Sequence, residues 1–305
     1  MLVNLSYLSL ILYLIVGLLF FLLVFFFVLI ERKILGLCQS RLGPNKVSFI
    51  GILQSLADFI KLLGKLNFLW GLTKGLGYRG LFYWFGVFYF FLAAAGFICI
   101  FIKSLSNSSL WGSFLCWVIV LSSLSGYGFI LCGWGSISKY SLLGAMRASF
   151  SGISFEGCLM CIVIGAGLLI SSYCSYFFNN KSAFGIISLL TLYILSVISV
   201  MCECNRSPFD FSESESDLVS GFNTDYYGAS FAILFACEYA VMVFFSWFIS
   251  FIFFNESVIF LTMFFHSFLL IFVRACFPRL RYDYFVSLFW KNLFVIYFLS
   301  LFVLL

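Results

Sequence analysis

From about Leu5 to Ile30 the chain runs without a single charged residue, and comparable stretches recur to its end. A bilayer's hydrocarbon core takes about 20 apolar residues of helix to cross and offers no water to backbone amides, so helices and closed barrels are the forms that fit it. Hydropathy places eight candidate spans, at about 5–30, 81–103, 111–133, 150–173, 183–203, 227–254, 257–277 and 285–305. The segments of roughly ten residues with alternating polarity that a barrel needs are not visible. With 64% hydrophobic residues and a mean hydropathy of +1.14, the sequence predicts an all-α, polytopic transmembrane protein, a single membrane domain over 1–305. The first run is longer than a signal-peptide core and has neither a basic flank nor a small-residue cleavage site, so it is expected to stay as a helix.

Charge orients these spans. Of the 17 Lys and Arg, all but Lys103, Lys181 and Lys291 fall on the first, third, fifth and seventh connections or just before them. By the positive-inside rule the odd connections face the side of synthesis. The three prolines, Pro44, Pro208 and Pro278, lie on that same side. Within the first connection, residues 31–80, apolar Phe49, Ile52, Leu53, Leu56, Phe59, Ile60 and Leu63 recur at helical spacing. Gln54, Asp58, Lys61 and Lys65 take the other side, which predicts an amphipathic helix lying in the membrane interface.

Only 10% of the chain is charged, yet CECNRSPFDFSESESDLVSGF (202–222) carries Glu203, Asp210, Glu213, Glu215, Asp217 and Arg206. Ser207-Pro208-Phe209-Asp210 reads as a helix start, with Ser at the cap, Pro in the first turn and Gly221 as a stop. The helix dipole favours one or two acids there. Five are more than capping needs, and like charges so crowded favour proton uptake by some of them. Glu156, Glu203 and Glu238 lie in or at the ends of spans, where a charge costs roughly 2.5–3.5 kcal/mol at mid-helix and marks a polar path. On residue chemistry alone, this is a proton path or a cation site.

Other chemistries find little support. One histidine, His266, cannot supply paired haem ligands or a zinc or copper cluster, and in an apolar span it reads as a satisfied structural residue. Cys158 and Cys161 make a C-x-x-C and Cys202 and Cys204 a C-x-C, without a second pair at zinc spacing; they read as small buried hydrophobes. GLGYRG (75–80) follows no strand and is no phosphate loop. The 44 phenylalanines read as packing and lipid-facing material, and with so few prolines they hint at a T-rich coding strand.

Four blocks add a resemblance: ERKILGLCQSRLGPNKVSFIGILQSLADFIKLLGK (31–65), GWGSISKYSLLGAMRASFSGISFE (133–156), ECNRSPFDFSESESDLVSGFNTDYYGASFAILFACEY (203–239) and RACFPRLRYDYFVSLFWK (274–291). They resemble, in the same order, the family of subunit 1 of respiratory NADH:ubiquinone oxidoreductase (complex I). ERK-x-L-G with R-x-G-P-N, and E-x-N-R-x-P-F-D followed by E-x-E-x-x-L-V-S-G-F, carry most of it. Leu66 stands where the family usually has Glu, Asp217 replaces a usual Glu with its charge kept, and NFLWGLTKGLGYRG (67–80) replaces a proline-containing segment.

The resemblance implies a subunit that carries no redox cofactor and forms much of the chamber for its substrate, ubiquinone. NADH, FMN and iron–sulfur clusters would sit in partner subunits, among them the peripheral quinone-site subunits with the terminal cluster. Other membrane-arm subunits and membrane lipid are the further partners, and no nucleic acid is implied. Arg32, Arg41, Asp58 and Lys61 would border the chamber mouth, and Arg206, Arg274 and Arg279 would surround the chamber and its acid-lined exit. Glu156, Glu203, Asp210 and Glu238 would lead charge into the membrane, with Glu213, Glu215 and Asp217 on the chamber loop. The implied location is the mitochondrial inner membrane, odd connections facing the matrix. From the residues alone, a stand-alone ion-coupled transporter or an anchor for peripheral proteins stays open.

Overall fold

A computed structural model describes residues 2–65, 77–105, 114–136, 138–170, 186–212, 218, 221–224, 226, 228–254 and 258–304. These residues form helices and turns, and no strand is found among them. In order they are α1 (Leu2–Cys38), α2 (Gln54–Gly64), α3 (Gly77–Leu105), α4 (Phe114–Gly135), α5 (Lys139–Ile170), α6 (Ile186–Glu203), α7 (Gly228–Phe253), α8 (Ile259–Cys276) and α9 (282–304). α9 is built from Tyr282–Ser287, a π-helical turn Leu288–Leu293, and Phe294–Leu304. Seven helices are long and apolar enough to cross a membrane, and α6 adds a shorter apolar stretch, Leu190–Glu203. The expected polytopic helical architecture is therefore observed.

α7 is the axis of the bundle. Apart from Glu238 its sequence carries no charge and is apolar around most of its surface, as a helix surrounded by other helices requires, and 78% of its spanning window is buried. It packs against α1, α2, α3, α6 and α8. Aromatic rings contribute: Phe97 of α3 meets Phe244 at 4.4 Å, and Phe155 of α5 also reaches α7, meeting Phe245 at 5.2 Å between centroids. Such pairs contribute about 0.5–1.5 kcal/mol each beyond area burial. α1 and α8, at the flank, expose most of their apolar side chains, which costs nothing where the surroundings are lipid or another subunit. His266 is satisfied as the sequence suggests. Its Nδ1 lies 2.6 Å from the Thr262 carbonyl and must donate to it, so Nε2 accepts from the Tyr193 hydroxyl at 2.8 Å.

The odd connections meet one another. Ser138 and Thr224 are in hydrogen-bond contact at 3.0 Å, the Leu280 amide donates to the Pro208 carbonyl at 3.0 Å, and Arg147 lies 5.6 Å over the Tyr282 ring. These tie the third, fifth and seventh connections into one polar face, and Arg274 joins it to α1 through Glu31.

Three sequence expectations change. α1 does not end near Ile30 but carries Glu31, Arg32 and Lys33 on a helix that runs to Cys38. The third connection shrinks to three residues because α5 begins at Lys139; at 1.5 Å per residue its 32 residues reach about 48 Å, well beyond a bilayer core. No helix starts at Ser207: residues 207–212 are turns after a cis Ser207–Pro208 peptide. Phe209 and Phe211 instead anchor the segment, meeting the Phe285 ring at 5.6 and 4.8 Å.

The amphipathic segment of the first connection forms a helix, α2, preceded by a short turn, Phe49–Gly51. Phe49, Ile60 and Leu63 are exposed in the isolated chain, as a helix resting on something other than its own bundle would be. Phe59 packs on Phe25 of α1 at 5.1 Å.

Candidate functional site

Glu203 ends α6 at the polar face, where Cys204 and Asn205 turn the chain out of the helix. Its carboxylate is buried and accepts a 2.9 Å hydrogen bond from Ser125 Oγ on α4. Gly152 of α5 leaves room for it, since a Cβ there would stand 3.9 Å from Glu203 Oε2. One helical turn further along α5 is Glu156, whose Oε1 lies 3.9 Å from a Cβ placed on Gly126, the residue after Ser125. Glu156 is half-buried and near enough to Glu203 for the two charges to interact. The small residues of α4 and α5 thus make space for two acids between three helices.

Glu238, on α7, is buried and shares a cavity with Glu203. Ser125, Asn205, Cys204, Val241 and the rings of Phe90 and Phe129 complete its wall. Beyond Glu238 stands Arg206, its guanidinium 3.8 Å from Glu238 Oε2 and 4.5 Å over the Tyr239 ring. Arg206 lines a second cavity with Glu31, Ser207 and Arg274, and Cys204 borders both. Each cavity offers about 10 Å³ to the centre of a water-sized sphere, room for roughly one water. The order through the protein is Glu156, Glu203, cavity, Glu238, Arg206, cavity, Glu31 with Arg274. Burial pushes the Cys204 thiol well up from its ordinary range, so it stays protonated between the cavities, a small apolar spacer.

Other expected residues lie apart from this group. Asp210 is buried and pairs with Arg279 at 2.9 Å, lining neither cavity. Arg32 and Asp58 join α1 to α2 at 2.6 Å on the exposed side, where Gln54 also donates to Asp58 at 3.0 Å; a pair of this kind contributes about 0–1 kcal/mol. Arg41 and Lys61 are exposed. Glu213, Glu215 and Asp217 lie outside the described residues. The base of their loop is closed by the Phe222 amide donating to the Ser212 carbonyl at 3.2 Å.

Three members were not singled out in the sequence. Glu31 reads as part of the Glu31–Arg32–Lys33 charge cluster; its signal is an acid directly after thirty residues without a charged side chain. Ser125 is one serine among many in the spans, and Tyr239 is one of 16 tyrosines; neither carries a distinguishing pattern. Among the described residues, no three His, Cys, Asp or Glu side chains converge as metal ligands would.

This buried row of acids and arginines sits in a chain with well-populated kin. The family model described as NADH dehydrogenase matches residues 10–305. The chain is 38% identical over 275 residues to NADH-ubiquinone oxidoreductase chain 1 of Anopheles gambiae, covering 88% of this chain and 85% of the relative. Its counterparts in Artemia franciscana and Mytilus edulis are each 36% identical, with 88% of both chains covered. Identity at this level along nearly the whole length, on a matching family model, places the chain in the NADH dehydrogenase family whose relatives are NADH-ubiquinone oxidoreductase chain 1.

Proposed function

We propose that this chain is a membrane-arm subunit of a proton-translocating NADH:ubiquinone oxidoreductase. It forms part of the quinone chamber at its polar face and couples quinone reduction to proton movement through buried carboxylates. The observation that carries this reading is the single cavity shared by Glu203 of α6 and Glu238 of α7, continued by Arg206 to Glu31 and Arg274. Electrons would reach the quinone from a cluster in a peripheral subunit. Reduction to the quinol consumes two electrons and two protons, and each electron arriving before its proton leaves negative charge. Arg206 and Arg274 would attract that charge, and any shift of either guanidinium changes the field at Glu238 or Glu31. Carboxylates so coupled exchange protons in answer to a field, with no covalent change in the chain.

The exposed Arg41 and Lys61, and α2 with its uncovered apolar side, would face the chamber mouth, lipid and the peripheral subunits. The location that fits is the mitochondrial inner membrane, with the polar face on the matrix side. The test is Glu203→Gln and Glu238→Gln in the assembled enzyme, measuring NADH:quinone turnover and proton uptake together. Assembly and electron transfer to artificial acceptors should persist, since Arg206 keeps its place over the Tyr239 ring when Glu238 becomes Gln, while protons moved per quinol fall by half or more. Unchanged pumping in both variants would remove the carboxylate path.

A further inference from the structure

Lys291 lies within the last span, and neither the chamber nor the acid row uses it. The buried apolar residues of α9 are Phe285, Phe289, Leu293, Tyr297 and Leu301, spaced four apart, with Ser300 buried beside the last of them. A straight α-helix has 3.6 residues per turn, so such a stripe drifts around its surface. The π-helical turn Leu288–Leu293, closed by wider i to i+5 bonds, rewinds that drift and keeps the stripe on the bundle. Phe294, at its end, sits 3.2 Å from a Cβ placed on Gly157 of α5. The same turn presents Trp290, Lys291 and Asn292 outward, all three exposed. Lys291 makes no ion pair or hydrogen bond among the described residues, Glu156 on the adjoining helix included.

Depth decides what can meet this ammonium. The last exposed charge before it is Asp283, 80% exposed and paired with Arg281. Lys291 lies eight positions beyond Asp283, about 12 Å along a helix, against a half-core of about 15 Å. The lysine stem reaches roughly 6 Å on bond lengths of about 1.5 Å, so it does not regain the headgroups. A cation held there is costly, and pairing with an opposite charge at its own depth lowers that cost. We propose that the outward side of the π-turn is a docking surface for a spanning helix of a neighbouring subunit, which supplies a carboxylate to Lys291 and a hydrogen-bonding group to Asn292.

The test uses the unmodified enzyme in its native membrane. Dicyclohexylcarbodiimide enters the bilayer and activates carboxyl groups; an amine in contact displaces the urea and forms an amide. Peptide mass spectrometry should find Lys291 joined to an Asp or Glu in a spanning segment of another subunit. In parallel, a membrane-permeant amine-reactive ester should label Lys291 at least tenfold less than in the denatured chain, before and after detergent delipidation. Labelling that appears on delipidation would assign the position to a lipid, and free labelling beforehand would leave it without a partner. Either result, an amide to Glu156 of this chain, or the absence of any such amide overturns the proposal.

Discussion

Glu31 of α1 and Arg274 of α8 form an ion pair whose two ends differ in their access to solvent: the acid's side chain is 4% exposed and the arginine's 27%. Removing one partner of a buried pair costs about 3–5 kcal/mol because the other charge is stranded. Here the stranding is one-sided. Arg274→Met leaves Glu31 sealed, whereas Glu31→Gln leaves an arginine that can turn towards water. The methionine variant should lose several-fold more assembled enzyme than the glutamine variant, as read by native gels of solubilised membranes. Equal losses would mean that the pair's burial is supplied by a neighbouring chain.

Ser125 and Gly152 hold Glu203 in different ways, and substitutions separate them. Ser125→Ala deletes the 2.9 Å donor, a hydrogen bond to a charged group being worth about 1.5–3 kcal/mol. Gly152→Ala adds a methyl in ordinary contact at 3.9 Å and should be tolerated, while Gly152→Leu fills the space the carboxylate occupies. Proton uptake per quinol should therefore fall in Ser125→Ala and Gly152→Leu and stay near normal in Gly152→Ala. Measured uptake that follows none of this order would separate the Glu203 setting from pumping.

Two further glycines give a paired stability test. A Cβ on Gly144 would stand 2.8 Å from the Phe222 amide nitrogen and 3.0 Å from Gly221 Cα, both backbone. Gly144→Ala must push the base of the acidic loop away from α5, at about 1–3 kcal/mol for overpacking. On Gly126 the nearest atom is 3.9 Å away, so Gly126→Ala should be neutral or gain about 0.5–1 kcal/mol from helix entropy. The fraction of enzyme surviving a heat step should drop for the first variant and hold for the second.

The bilayer explains why so much of this architecture could be read in one dimension. Hydropathy finds spans because a lipid solvent leaves the chain almost no alternative to a helix. It places their ends poorly wherever charges ride on the helix itself, as Arg32 and Lys33 do on α1 and Lys139 and Arg147 do on α5. The misread at Ser207 has a tertiary cause. Its cap-like residues are local signals for a helix, but the Pro208 carbonyl is taken by the Leu280 amide and Phe209 and Phe211 are taken by α9. Glu203 and Glu238 were visible as acids in apolar runs; that they share a cavity was not, because Ser125 and Phe90, which close it, look like every other serine and phenylalanine in the chain.

Arg206 offers the sharpest separation of charge from shape. It stands between the two cavities with its guanidinium 4.5 Å over the Tyr239 ring and 3.8 Å from Glu238. Arg206→Met strands Glu238 as a buried charge and should cost about 3–5 kcal/mol, seen as loss of assembly. Arg206→Lys keeps the charge but not the flat face that stacks on the ring, so assembly should persist while coupling weakens. Tyr239→Phe keeps that face and should resemble the parent in both assembly and turnover. Tyr239→Leu removes it, at about 0.5–2 kcal/mol for a largely desolvated cation–π contact, and should match Arg206→Lys. If Tyr239→Phe proved as damaging as Tyr239→Leu, the hydroxyl beside Glu31, rather than the ring, would be what positions Arg206, and the arginine would act through Glu31 instead of through its stacked face.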